Sequence, residues 1–226
     1  MIKPIVKSPP NAILFDWDNT LVNNWDPIFI SYNETLKNLG LKKKSKEETL
    51  KNAKYSLRET FPNLFKDDWR KARKIFYKTF KKIHLQKIKP LPKVEKILKI
   101  INKKKILCGV ISNKDSNLLR KEINKLGWKK YFNVLVGANE AKKDKPSKFP
   151  LLLALKKISL KPNKNIWYVG DNDVDVEFAK KNKCLSVFIE NKIFKIKDLK
   201  QKPDLILKKI ETLELYIKNF FFIIYE

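Results

Sequence analysis

Four stretches of this 226-residue chain gather the side chains from which chemistry can be built. Asp16-Trp17-Asp18-Asn19-Thr20 follows the apolar run 12–15, and Ser112-Asn113-Lys114 follows the run 106–111. Lys142, Lys143 and Lys145-Pro146 lie in the loop region after 134–136, and Gly170-Asp171-Asn172-Asp173-Val174-Asp175 closes the run 166–169. Carboxylates, one hydroxyl and a lysine suit phosphoryl transfer. A carboxylate can attack phosphorus and hold the phosphoryl group as an acyl phosphate. A second carboxyl can protonate the leaving oxygen and then deprotonate water. Serine hydroxyl, backbone amide and lysine can position the group and neutralise its charge. Crowded carboxylates repel one another and call for a hard dication, and Mg²⁺ favours one or two carboxylates with carbonyl, water and phosphate oxygens.

These stretches can meet only if the elements between them bring them together. The runs at 12–15, 106–111, 134–136, 166–169, 185–189 and 205–207 are almost continuously apolar, as strands covered on both faces of a parallel sheet are. Between them Val94, Ile97, Leu98 and Ile101 recur at helical spacing, as do Leu119, Ile123 and Leu126 before Gly127 as a stop. Pro150 can open a further helix carrying Leu151, Leu152, Leu155 and Ile158. The alternation predicts an α/β fold, a doubly wound (Rossmann-like) parallel sheet of about six strands. In such sheets ligands bind beyond the carboxyl ends of the strands, so the four stretches are expected along one edge.

The stretch 23–89 breaks the alternation. Ile28, Tyr32, Leu36 and Leu39 form one helical stripe ending at Gly40. Ser45 with Glu48 makes a capping box for a second helix carrying Leu50, Ala53 and Leu57. Trp69, Ala72, Phe76, Phe80 and Ile83 mark a third. This is too long for a loop. It is expected to be an all-helical cap over 23–89 with its own core, inserted into an α/β catalytic core made of 1–22 and 90–226.

The first stretch, with Ile13-Leu14-Phe15 before it, resembles the Asp-x-Asp-x-Thr signature of haloacid dehalogenase-like hydrolases. Ser112-Asn113-Lys114 resembles the Thr-Asn-Lys of the phosphoglycolate phosphatase-like subgroup, Lys145-Pro146 with Pro150 its third motif, and Gly170-Asp171 with Asp175 its acidic fourth. Asn19 stands where Gly is common, Lys93 replaces the usual Gly after Pro90-Leu91-Pro92, and Lys148 a common proline. The resemblance covers roughly residues 11–213. It implies that Asp16 is the nucleophile and Asp18 the general acid and base. It also implies that Ser112, Asn113 and Lys145 hold the transferring phosphoryl group. Asp16, the main-chain carbonyl of Asp18, and Asp171 would ligate Mg²⁺, with Asp175 supporting the site from behind. The expected reaction is hydrolysis of a small phosphorylated metabolite. Phosphomutase or phosphonate hydrolase chemistry, or a non-hydrolytic phosphoacceptor, are the rival readings.

The remaining sequence narrows the field. The net charge is +27, but the lysines are spread along the whole chain with abundant Ile, Asn and Phe, residues of A/T-rich codons. Nucleic acid is not expected as the main partner. Cys108 and Cys184 sit in apolar runs and read as buried thiols. His84 is the only histidine, which disfavours a catalytic triad or a multi-histidine metal site, and it reads as helix surface or core. No signal segment is legible, and the apolar tail 220–225 is too short to span a bilayer, which needs about 20 residues. A cytoplasmic enzyme with that tail packed on the core is expected.

Overall fold

The computed structural model describes the backbone of residues 8–222 and the side chains as far as Lys218. The first apolar run forms β1 (Ala12–Phe15), after which the chain makes a short strand β2 (Val22–Asn23). Four helices follow: α1 (Trp25–Asn38), α2 (Lys46–Asn52), α3 (Leu57–Phe65) and α4 (Trp69–Lys87). The chain returns through β3 (Lys89–Pro90), which pairs antiparallel with β2 and so ties the two ends of the helical insert together. Helix and strand then alternate through α5 (Val94–Lys103), β4 (Leu107–Asp115), α6 (Ser116–Lys125), β5 (Val134–Ala138) and α7 (Phe149–Lys157). The chain ends with β6 (Ile166–Gly170), α8 (Asp173–Lys181), β7 (Leu185–Ile189), β8 (Leu205–Leu207) and α9 (Leu213–Phe222).

Among the described residues, six parallel strands form one sheet in the order β5-β4-β1-β6-β7-β8. Successive residues of a strand face opposite sides. Ile13 and Phe15 enter one hydrophobic cluster with Ile97, Leu119 and Ile217, while Ala12 and Leu14 enter a second with Leu151, Leu155 and Phe178. Trp167 and Val169 go with the first, Ile166 and Tyr168 with the second. Both faces are therefore covered by helices, which is why the runs are continuously apolar. Each fully buried large apolar side chain stabilises the fold by ~1.5–3 kcal/mol. Connections on either side of β1 run in opposite directions, placing the crevice of the switch point at its carboxyl end.

The insert buries Tyr32, Leu36, Phe61, Phe65, Phe76 and Phe80 in a cluster of its own, joined by Leu118 of α6. The capping box forms as expected: Ser45 Oγ accepts from Glu48 N at 3.2 Å, and Glu48 Oε2 accepts from Ser45 N at 2.9 Å. One expectation needs correction. Leu50, Ala53 and Leu57 do not share a helix, because α2 stops with Ala53 as its C-cap and Ser56 takes extended N-cap geometry to start α3. Serine at that position favours a new start over continued helix, and the break turns residues 53–56 toward the sheet. β4, expected over 106–111, is longer than that run, reaching Asp115 with a register shift between Ile111 and Asp115. Both cysteines are buried free thiols. Leu213 and Ile217 of α9 are buried, whereas the side chains of the tail 220–225 lie outside those described. Among the described residues no helix is long and apolar enough to cross a membrane.

Asn19 and Lys93 stand at φ 63° and φ 60°. Asparagine tolerates this left-handed backbone, whereas a lysine there costs about 1–2 kcal/mol. Lys93 is exposed, so glycine would relieve strain without losing packing. Lys93→Gly is expected to raise unfolding stability by about 0.5–1 kcal/mol, after the entropic penalty of glycine in the unfolded chain, as a shift in the urea midpoint. A lower midpoint would show that the turn is not strained.

Candidate active site

The carboxyl ends of β1, β4 and β6 and the loop after β5 meet over the middle of the sheet. Asp16 N continues the ladder to Val169 O at 2.9 Å, so the residue leaves β1 with its side chain at the crevice. Asp16, Asp18, Ser112, Asn113, Lys145 and Asp171 line one cleft, closed on the other side by Trp25, Ile28, Leu50, Ala53 and Lys54 of the insert. Every sequence-predicted site residue lies in it except Asp175, which sits just beneath. Asp173, two positions earlier, is instead in the first turn of α8, paired with Lys54. Of the competing lysines, Lys142, Lys143 and Lys148 are exposed and Lys145 is buried.

Lys145 is the hub. Its Nζ donates to Asp16 Oδ1 at 2.7 Å, to Asp175 Oδ1 at 2.8 Å and to the Tyr168 hydroxyl at 2.7 Å, using all three of its protons. Tyr168 in turn donates to Ile111 O at 2.7 Å. Burial works against the charge of Lys145, but Asp16 and Asp175 outweigh it and push its pKa up to about 12. Asp175 is fully engaged, since its Oδ2 accepts from Asp171 N at 3.1 Å. Gly170 makes this contact possible: a Cβ there would fall 2.3 Å from the Asp175 side chain.

One lysine faces three carboxylates. Asp16, Asp171 and Asp175 each offer an oxygen within 4.8 Å of the others, and all three are buried. Burial, helped by Asp175 and Asp18 and opposed by Lys145, raises Asp16 to about 7. Burial first, then Asp175 and Asp16, pushes Asp171 well above the usual carboxylate range. Asp171 is fixed by Asn172 Nδ2 on Oδ1 at 3.0 Å and by Asn191 Nδ2 on Oδ2 at 2.9 Å. An all-oxygen donor set with surplus negative charge fits a hard divalent cation. Asp16 and Asp171 line the cleft while Asp175 sits beneath it, so Asp16 and Asp171 are the side chains placed to hold one.

Asp18 faces a different set of partners. Its Oδ1 accepts from Asn24 Nδ2 at 2.6 Å and lies 3.1 Å from Lys114 Nζ. Burial raises its pKa, Lys114 opposes this, and the net direction is upward. Ser112 is buried in the cleft, with its Oγ accepting from Lys114 N at 3.2 Å. The Asn113 side chain is committed elsewhere. Its Oδ1 accepts from Lys145 N at 3.0 Å, and its Nδ2 reaches the carbonyls of Lys145 and Lys54, both at 3.1 Å. It scaffolds the third stretch and the insert together.

The insert is docked by charge. Lys54 Nζ reaches Asp173 Oδ1 at 2.8 Å, and Arg58 grips both oxygens of Asp144 at 2.7 Å. Bidentate arginine–carboxylate pairs are geometrically exacting as well as strong. Sequence reasoning gave no role to Lys54, Asn24, Tyr168, Asn191 or Glu122. Only Glu122 carried a readable signal: it is a charge on the apolar stripe of Leu118, Leu119 and Ile123. Trp17 packs in the core, edge-on to Trp128 at 6.0 Å.

Residues 13–189 match the family model described as haloacid dehalogenase-like hydrolase. The chain is 31% identical over 174 residues to a phosphoglycolate phosphatase of Aquifex aeolicus, spanning 75% of this chain and 80% of that one. It is 28% identical over 218 residues to the pyrophosphatase PpaX of Bacillus pumilus, covering 92% of this chain and 96% of that one. In fold it is similar to a haloacid dehalogenase-like family hydrolase from Streptococcus pneumoniae, with a TM-score of 0.81 at 22% identity over 91% of this chain and 97% of that one. The match runs from β1 through β7 and takes in all four stretches of the cleft, so the chain belongs to the haloacid dehalogenase-like hydrolases.

Proposed function

We propose that the protein is a Mg²⁺-dependent phosphatase that hydrolyses a small phosphate monoester through an aspartyl-phosphate on Asp16. The observation that carries this reading is the meeting of Asp16, Asp18, Ser112, Lys145 and Asp171 in one cleft, with Lys145 2.7 Å from the proposed nucleophile. An Asp16 carboxylate oxygen attacks phosphorus and the bond to the leaving oxygen breaks, with Asp18 delivering its proton to that oxygen. Asp18, now a carboxylate, takes a proton from water as the water oxygen attacks the phosphoryl group. Phosphate departs and the Asp16 carboxylate is restored. Lys145 and the Ser112 hydroxyl hold the transferring group, and Asn113 contributes through its backbone. Asp16, Asp171 and the main-chain carbonyl of Asp18 would hold Mg²⁺, which would offset the charge gathered there, with Asp175 as the buttress. Helices α1–α4 act as a cap, and Trp25, Ile28 and Lys54 face the organic part of the substrate. Relatives named for phosphoglycolate and pyrophosphate hydrolysis support a small anionic substrate.

Two outcomes are expected. With para-nitrophenyl phosphate, the parent releases phosphate with Mg²⁺ and not with excess chelator. Asp16→Asn lowers turnover by at least about 10³-fold while the fold is retained by circular dichroism; an active variant removes the nucleophile assignment, and phosphate binding without turnover in the parent would leave a binding module.

The second concerns pH. Without metal, Asp16 has a folded pKa of about 7 against an ordinary 3.8, so the folded state binds more protons than the unfolded state between those values. Its contribution to stability is therefore present at low pH and lost as pH rises through about 7. Mg²⁺ binds the ionised form and should restore that loss. Saturating Mg²⁺ is expected to raise Tm by on the order of 5–10 °C at about pH 8 and by little at about pH 5, read by thermal melting. Equal shifts at both would contradict Asp16 as a ligand.

A further inference from the structure

Glu122 has no place in the chemistry above, yet it is completely buried at the centre of a polar cluster. Its Oε2 accepts from Trp17 Nε1 at 2.6 Å and from Asn24 Nδ2 at 3.1 Å. Its Oε1 lies 2.7 Å from His84 Nδ1 and 3.2 Å from Lys114 Nζ. A carboxylate can only accept, so His84 carries its proton on Nδ1. Burying such a group costs several kcal/mol unless donors surround it, and an apolar residue of similar size would often serve stability as well. Four converging donors at this price point to a use beyond stability.

The use lies one bond further on. Asn24 and Lys114, two of the four donors, are also the two groups that hold Asp18 Oδ1, at 2.6 and 3.1 Å. Among the described residues no other side chain holds that carboxylate, and Oδ2 is left for a reacting partner. We propose that Glu122 is the positioning residue for Asp18: it anchors Asn24 and Lys114, and these fix the carboxyl group for proton transfer. His84, on α4 of the insert and stacked at 5.0 Å on Phe80, completes the anchor from the cap side. The proposal rests on the reading of Asp18 as general acid and base.

A purely structural role and a positioning role part on the leaving group. Protonation matters greatly for an alkoxide and little for nitrophenolate. Glu122→Gln is expected to lower kcat on β-glycerol phosphate by about 10²-fold and on para-nitrophenyl phosphate by less than about tenfold, with KM nearly unchanged on both. An equal loss on the two substrates, or a loss confined to KM, overturns the proposal. Should that variant fail to fold, His84→Gln carries the same test, because it loosens Glu122 without touching Asp18. A smaller loss with the same leaving-group bias supports the proposal, and none or a uniform one overturns it. An active Asp16→Asn would instead defeat the phosphatase reading itself, so the two failures are told apart.

Discussion

The structure is organised around a surplus of negative charge in a buried place. Asp16, Asp171 and Asp175 bring oxygens within 4.8 Å of one another inside the protein, and one ammonium, that of Lys145, stands among them. Like charges this close cannot all stay ionised without further compensation, which is why burial and mutual repulsion drive Asp16 and Asp171 upward. The neighbouring elements serve to hold these groups together against that repulsion. Tyr168 and Asp175 fix Lys145, Asn191 and Asn172 fix Asp171, and Gly170 gives up its side chain so that Asp175 can reach the Asp171 amide.

Such crowding needs a rigid frame, and the parallel sheet supplies it. The acids leave the ends of two adjacent strands, β1 and β6, and their backbones are locked by the ladder between Phe15 and Val169. The hydrophobic clusters on the two faces hold that ladder in place, since a one-residue slip would carry every side chain from the cluster it fits to the opposite one. The insert is attached differently. A few ion pairs, Leu118 and the Glu122 cluster join it to the core, and two residues of antiparallel pairing tie its two ends to each other.

Much of this was legible before any coordinates. The six strands read directly because both faces are covered and the runs are unbroken, and the capping box at Ser45 located α2 because its two hydrogen bonds are local. Lys145 stood out from Lys142, Lys143 and Lys148 only by the proline after it and the resemblance; in the structure it is the buried one of the four. What the sequence hid was pairing across distance. Arg58 with Asp144 joins residues 86 positions apart, and Trp17 with Glu122 joins residues 105 apart. Nothing in local spacing marks such partners. The break between α2 and α3 was missed for another reason: Leu50, Ala53 and Leu57 keep helical spacing across it, so periodicity hides the change of direction that Ser56 makes.

The distribution of charge gives the site its sign. A chain of net charge +27 still places its carboxylates at the floor of the cleft, where by themselves they would repel a phosphate ester. Lys145 sits beside Asp16 and Lys114 beside Asp18, and Lys54 lines the cleft from the insert. The surface lysines act over longer range and are screened within about 10 Å at ordinary ionic strength, so they can gather anions but cannot orient them. Orientation falls to the few buried cations, and these are held by carboxylates in turn. The acids that would oppose an anion are thus what fixes the cations proposed to receive it.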